Sequence, residues 1–192
     1  EGADLPRAAA FVAMERGHAE ALAPMVAEAM AKARLGFRDL DRIAVTIGPG
    51  TFTGVRIGLA LARGLGLALA VPVIGIDTLT AIAANEPADG LPLLVAADAR
   101  REEVYGALYD GAGRNLVPAR LLAVAEAAAG LPAGPVRISG SAAEAIIATS
   151  TRGDLIRATG GDLREVMRTA RGCSCEGNSS IRSPPCARAG RP

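Results

Sequence analysis

Tryptophan is absent from this chain, and aromatic residues make up only 3% of it. Binding of single-stranded nucleic acid by base stacking needs exposed rings, so the composition argues against that class of protein. A core without rings must be built from Ala, Leu, Val and Ile. Histidine occurs once, at His18. A zinc or iron site groups several His, Cys or carboxylate ligands, so His18 reads as a cap, a surface group or an interface contact. Cysteine is missing from the body of the chain and confined to Cys173, Cys175 and Cys186. That fits a reducing compartment, and the C-x-C spacing is not that of a redox pair. Charge of one sign is not in excess: the net charge is +1, which argues against strong independent binding to nucleic acid. Residues 1–17 lack the basic start and apolar run of a signal peptide. The most apolar run, residues 65–76, is short for a membrane span and contains Pro72. The expectation is a cytoplasmic protein with no membrane association.

What is present is apolar and aliphatic. Hydrophobic residues are 50% and charged residues 21% of the 192 residues, enough for a packed core in one domain or two small lobes. One stretch organises the rest: an apolar strand over 43–47, a glycine-rich turn (GPGTFT), then a helix over 54–69. Strand, tight turn and helix aim backbone N–H groups at one point, which makes Gly48, Gly50, Thr51 and Thr53 a candidate anion-binding loop. Thr51 or Thr53 can cap the helix. No Gly-Lys-Ser/Thr follows and no dinucleotide fingerprint is completed, so a structural turn is the reading preferred over a nucleotide site.

The helix over 54–69 carries only two charges, Arg56 and Arg63, seven apart and on one face. Gly54, Gly58, Ala62 and Gly66 make a ridge of small residues beside a bulky ridge of Ile57, Leu61, Leu65 and Leu69. Each interior glycine costs about 0.5–1 kcal/mol relative to alanine, and close approach of another backbone is the usual compensation. A helix apolar nearly all round is buried on more than one side. The expectation is the sheet on one side and a neighbouring helix or a partner subunit on the other.

Around this centre, residues 7–15 (RAAAFVAME) read as a strand apolar on both faces. Residues 18–34 read as a helix with Leu22, Met25, Val26, Ala29 and Ala33 at helical spacing, Pro24 near its start and Gly36 as C-cap. After the central helix come a strand over 73–76, a helix to residue 84 capped by Asp77 or Thr78, and a turn cluster over 85–90 (NEPADG) that reads as the boundary between lobes. Strands over 93–97 and 104–109 look like a hairpin around a polar corner at 98–101. A weak helix over 123–129, a strand over 136–139, a helix over 141–148 and a strand over 155–158 follow. The lobes are thus 1–84 and 91–160. Residues 161–192, rich in Arg, Ser, Pro and Cys, read as a disordered tail. The Asp98, Arg101, Glu102 and Glu103 cluster could hold an acid and a base, but charged runs are mostly solvated faces. Ser139 and Ser141 have only His18 to call on for a triad.

The run GPGTFTGVRIGLALARGLGLA resembles the TsaB (YeaZ) family, supported upstream by RGHAEALAPMVAEAM and DRIAVTIGPG and downstream by PVIGIDTLTAIA, AADARREEVYGALYD and, more weakly, VRISGSAAE. The resemblance covers residues 8–158. It implies an α/β fold of the actin-like ATPase type, shared with heat-shock chaperones and sugar kinases, in degenerate form. It implies a non-catalytic scaffold subunit, without cofactor or metal, of the complex that makes threonylcarbamoyladenosine on tRNA. Its partners would be a TsaD-like catalytic subunit and a TsaE-like ATPase, with tRNA met only through the complex and a homodimer formed in isolation. The implied interface comprises His18, Leu22, Met25, Val26, Ala29 and Met30 on one helix and Val55, Gly58, Leu59, Ala62, Arg63 and Gly66 on the other. Against the family pattern, the chain starts after an IDT-bearing first strand and a second strand, an N-terminal truncation. Its last residues look like a reading-frame slip or foreign sequence. Unpaired sheet edges would then be an aggregation hazard. The competing readings are a small actin-like ATPase or phosphotransferase, with the 48–53 loop at the phosphates and Asp98 near a metal, and a homodimeric module or non-functional fragment.

Overall fold

Apolar residues at helical spacing from Leu22 to Ala33 form helix α1 (His18–Ala33). The structure, a computed structural model, describes residues 7–14 and 16–158. Pro24 lies inside α1 and removes one backbone hydrogen bond from it. The helix ends on Arg34, in the left-handed region at φ 56°, rather than on Gly36. Gly36 is extended and precedes a 3-10 turn (Phe37–Asp39), its N–H donating to the Asp39 carboxylate at 2.7 Å. The strand expected over residues 7–15 is not observed over 7–14. That segment runs irregularly beside α1.

The centre of the chain is a parallel β-α-β unit. Strands β1 (Ile43–Gly48) and β2 (Val73–Asp77) pair in register from Ile43↔Val73 to Thr46↔Ile76 and are joined by helix α2 (Phe52–Leu69). Thr51 caps α2, its hydroxyl accepting the Gly54 N–H at 3.2 Å. Asp77 likewise caps helix α3 (Thr78–Ala83) through the Thr80 N–H at 2.9 Å. Both caps satisfy a first-turn N–H that has no partner within its helix.

The second half builds a five-stranded mixed sheet from β3 (Leu93–Arg100), β4 (Glu103–Tyr109), β5 (Asn115–Ala123), β6 (Val136–Ser139) and β7 (Leu155–Arg157), in the order β5-β4-β3-β6-β7. Helices α4 (Val124–Ala129) and α5 (Ala143–Thr149) cover one face, packing Ala127, Ala128 and Ile146 with Leu94, Ala96, Val104 and Ile138. Helix α3 covers the other, packing Leu79, Ile82 and Ala83 with Leu93, Val95, Ala107 and Tyr109. Neither buried cluster includes a residue from before Leu79.

Two features differ from the sequence reading here. The polar corner at 98–101 lies mostly within β3. The hairpin link is only Arg101–Glu102, and Arg100, Arg101 and Glu102 all have positive φ. Strand β5 was not expected, and it contains Pro118, which lacks a backbone N–H. It is tolerated because β5 is an edge strand, where an N–H can be missing without breaking a ladder on both sides, and the β4–β5 register shifts beside it. The expected tail and its three cysteines lie outside the described residues.

Gly140 (φ +97°) passes so close to the Ala96 carbonyl that any Cβ would collide with backbone. Gly140→Ala should lower unfolding stability by roughly 1–3 kcal/mol, read as a lower urea midpoint. Burial pushes the Tyr109 phenol above its usual 10.0, with the Asp77 charge adding to the effect and hydrogen bonds from Thr80 and Asn115 opposing it. A raised phenol pKa means that folding favours the neutral form. That stability is complete below the unfolded value and is lost as pH rises through the folded one. Unfolding free energy should therefore fall above about pH 10, more steeply for the wild type than for Tyr109→Phe in parallel denaturation curves.

Candidate docking face and turn of the first half

Position along α2 decides what each residue meets. The small ridge faces inward: Gly58 lies over Val45, and a Cβ at Gly66 would strike the Val73 side chain. Ala62 and Gly66 are the buried residues of this helix. At Ala62 and Gly66 the ridge expected to admit a partner's helix is buried against the chain's own strands, so these two residues pack internally, while Gly58 is half-buried and borders the cleft beside α1. The physical reason is the short β-α-β crossover, which holds the helix flat on its two strands and needs the missing side chains there.

The opposite face is open. Phe52 is 68% and Leu67 86% exposed, with Arg56, Ala60 and Arg63 between them on the same side. The Arg56 guanidinium stacks over the Phe52 ring, 3.5 Å from its centroid, so the charge lies on the apolar surface rather than apart from it. Of the residues expected at an interface, Arg63 is on this outward face, while Val55 and Leu59 are half-buried against the strands. Phe52, Ala60 and Leu67 were missed. The signal was present: Arg56 and Arg63 mark the solvent side, and Phe52 and Leu67 lie one turn beyond them. By length and hydropathy alone α2 could cross a membrane, but its buried residues lie against β1 and β2.

On α1, Leu22, Met25, Val26, Ala29 and Met30 form a continuous half-buried stripe, and none is fully buried. His18 is exposed at the first turn, which Gly17 precedes without a side-chain cap. An apolar cleft of about 280 Å³ lies between the two helices and the irregular N-terminal segment, lined by Phe11, Met14, His18, Leu22, Ile57 and Gly58.

In the loop before α2, Gly48 adopts φ +112° and the Thr51 hydroxyl is engaged in the cap, while Thr53 is exposed. These contacts account for Gly48 and Thr51 as turn and cap residues. In the second half, the Asp98 N–H donates to Ser141 Oγ at 3.0 Å, and the Asp98 carboxylate accepts the Arg100 N–H at 2.8 Å. Asp98, Glu102 and Ser141 border a cleft of about 650 Å³ and all are exposed. Ser139 is instead buried and donates to Glu86 at 2.6 Å. Among the described residues, no three His, Cys, Asp or Glu side chains come together. Because the glycine ridge packs internally, Gly66→Ala should destabilise the fold by roughly 1–3 kcal/mol in chemical denaturation, with Val73→Ala in the same chain recovering part of the loss.

The family model described as TsaD, tRNA N6-adenosine threonylcarbamoyltransferase, matches residues 12–162. An uncharacterized protein of Mycobacterium tuberculosis is 43% identical over 120 residues, covering 62% of this chain and 53% of that one. The tRNA threonylcarbamoyladenosine biosynthesis protein TsaB of Haemophilus influenzae is 42% identical over 93 residues, covering 47% of this chain and 39% of its own length. The chain thus spans about half or less of the curated relatives it matches. The solved structure of YeaZ from Pseudomonas aeruginosa superposes with a TM-score of 0.67, at 28% identity, covering 77% of this chain and 71% of that one. With its α/β actin-like fold, the chain belongs to the TsaD family of the matching model, on the TsaB (YeaZ) side of that family.

Proposed function

We propose that this chain works in the biosynthesis of threonylcarbamoyladenosine on tRNA, as a subunit that docks a TsaD-type catalytic partner and makes no bond itself. The observation that carries the docking role is the uncovered face of α2. Phe52 and Leu67 are large apolar side chains at 68% and 86% exposure, on a helix whose other side is already packed. Exposed apolar surface of this kind, with cations among it, marks a surface that meets another protein. The half-buried α1 stripe begins beside α2 at the cleft that Leu22 and Met25 share with Ile57 and Gly58, and adds a second apolar surface to the same half. TsaB-named relatives support the pathway. In this reading a TsaE-type ATPase joins the same assembly, tRNA is met only through it, and the α1–α2 face closes a homodimer when the catalytic partner is missing. The setting is the cytoplasm.

Burying a leucine contributes roughly 1.5–3 kcal/mol, so Leu67→Asp should weaken binding to a TsaD-type partner by about tenfold or more. Leu67 is almost fully exposed, so the thermal midpoint should stay within error of wild type. Calorimetric titration of the two proteins reads the first quantity and thermal melting the second. Unchanged affinity in Leu67→Asp and in Phe52→Ser would remove α2 from the interface. Tight binding of Mg-ATP by the isolated chain would favour the phosphotransferase reading instead.

A further inference from the structure

Residues 85–90 have the composition of a flexible connector, yet Glu86, Pro87, Asp89 and Gly90 are fastened to the second half of the chain and Asn85 to the end of α3. Asn85 Nδ2 donates to the Ala81 carbonyl at 2.7 Å, closing the end of α3. Arg137, in the middle of β6, donates from Nη2 to the Pro87 carbonyl at 2.8 Å. Its Nη1 lies 3.4 Å from the Asp89 carboxylate and 3.8 Å from that of Glu86. Ser139, two residues along the same strand, donates to the other Glu86 oxygen at 2.6 Å. The Gly90 N–H donates to the Gly111 carbonyl at 3.3 Å, and Gly111 lies so close that any Cβ there would collide with the Gly90 backbone.

This network is buried. The Glu86 side chain is 1% and that of Arg137 8% exposed, and Glu86 Oε2 and Arg137 Nε have no hydrogen-bond partner. An ion pair so placed is not a surface pair of negligible effect. Removing one member leaves the other charged and out of water. Upstream, Leu79, Ile82 and Ala83 of α3 are buried with Leu93, Val95, Ala107 and Tyr109, and Thr80 Oγ1 lies 3.1 Å from the Tyr109 hydroxyl. Helix α3 also lies against β1 and β2, but no residue of those strands enters its buried cluster.

We propose that the buried Arg137–Glu86–Ser139 network is a latch holding α3 and residues 85–90 to the five-stranded sheet, so that the two halves articulate at Asp77–Thr78 rather than at the glycine- and proline-bearing turn. The connector-like segment is thus part of the second body, and the pivot is the single backbone step between β2 and α3.

Native-state hydrogen exchange on the full chain tests this. The amides of Ala84, Asn85 and Glu86 donate to the carbonyls of Thr80, Ile82 and Ala83. In the wild type they should exchange in step with β3, β4 and β6, and more slowly than the amides that pair β1 with β2. Arg137→Met should speed all three by about tenfold or more while leaving the Val55 and Val71 amides, at either end of α2, unchanged. Gly111→Ala, which displaces the turn without touching the ion pair, should do the same. Ser139→Ala gives a milder version of the effect and keeps both charges in place. Wild-type exchange of Ala84, Asn85 and Glu86 in step with β1 and β2 would overturn the proposal. So would wild-type rates at these three amides in both Arg137→Met and Gly111→Ala.

Discussion

Leu79, at 0% exposure, anchors the join between the two halves of this molecule. It is the first large apolar residue of α3, and it leaves β2 to enter the core of the second sheet. Because α3 begins directly after β2, the parallel β-α-β unit is attached to that core through the Asp77 cap, with no loop between. The consequence is asymmetric. The second half, with α3 packed on it, has a sheet covered on both faces and two buried clusters, whereas Ala62 is the buried hydrophobic residue among those described before α3. A two-stranded sheet with helices on one side buries little apolar surface, and marginal burial means low local stability.

That asymmetry bears on function. The weakly buried half also presents the two most exposed large apolar side chains, Phe52 and Leu67 on α2, and the apolar cleft beside α1. A surface that gains burial only when a partner covers it links folding stability to association by mass action. The well-packed half supplies a rigid base, and its polar residues form contacts within the chain: Asp98 orders the strand end before the tight hairpin, and Ser139 and Arg137 hold the 85–90 turn. None of these needs a ligand to explain its geometry.

The glycines show how one feature supports two opposite readings. A ridge of Gly58, Ala62 and Gly66 says that something approaches α2 closely, and the periodicity says on which side. It does not say whether the approaching surface belongs to the same chain. Val45 and Val73 take that place, so the face available to a partner is the one that Arg56 and Arg63 mark. The same ambiguity affected residues 85–90, whose Gly, Pro and Asp content describes a turn equally well whether it is free or clamped by a buried arginine from fifty residues downstream.

Local chemistry was legible without coordinates. Apolar periodicity placed α1 and α2, a short apolar run placed β1, and Thr51 and Asp77 were identifiable as caps because a side-chain oxygen three residues before a free N–H acts within a single turn. The GPGTFTGVRIG run likewise carried the family. What tertiary structure alone decided is everything that depends on which surface comes to lie against which. Residues 7–14 are apolar enough for a strand but do not pair with one. Pro118 is permitted because β5 has an open edge, and the glycine ridge is filled by strands thirteen residues before it and seven after. Backbone propensity and capping act over a few residues, but burial and pairing are set by partners distant in sequence, and one chain's pattern does not name those partners.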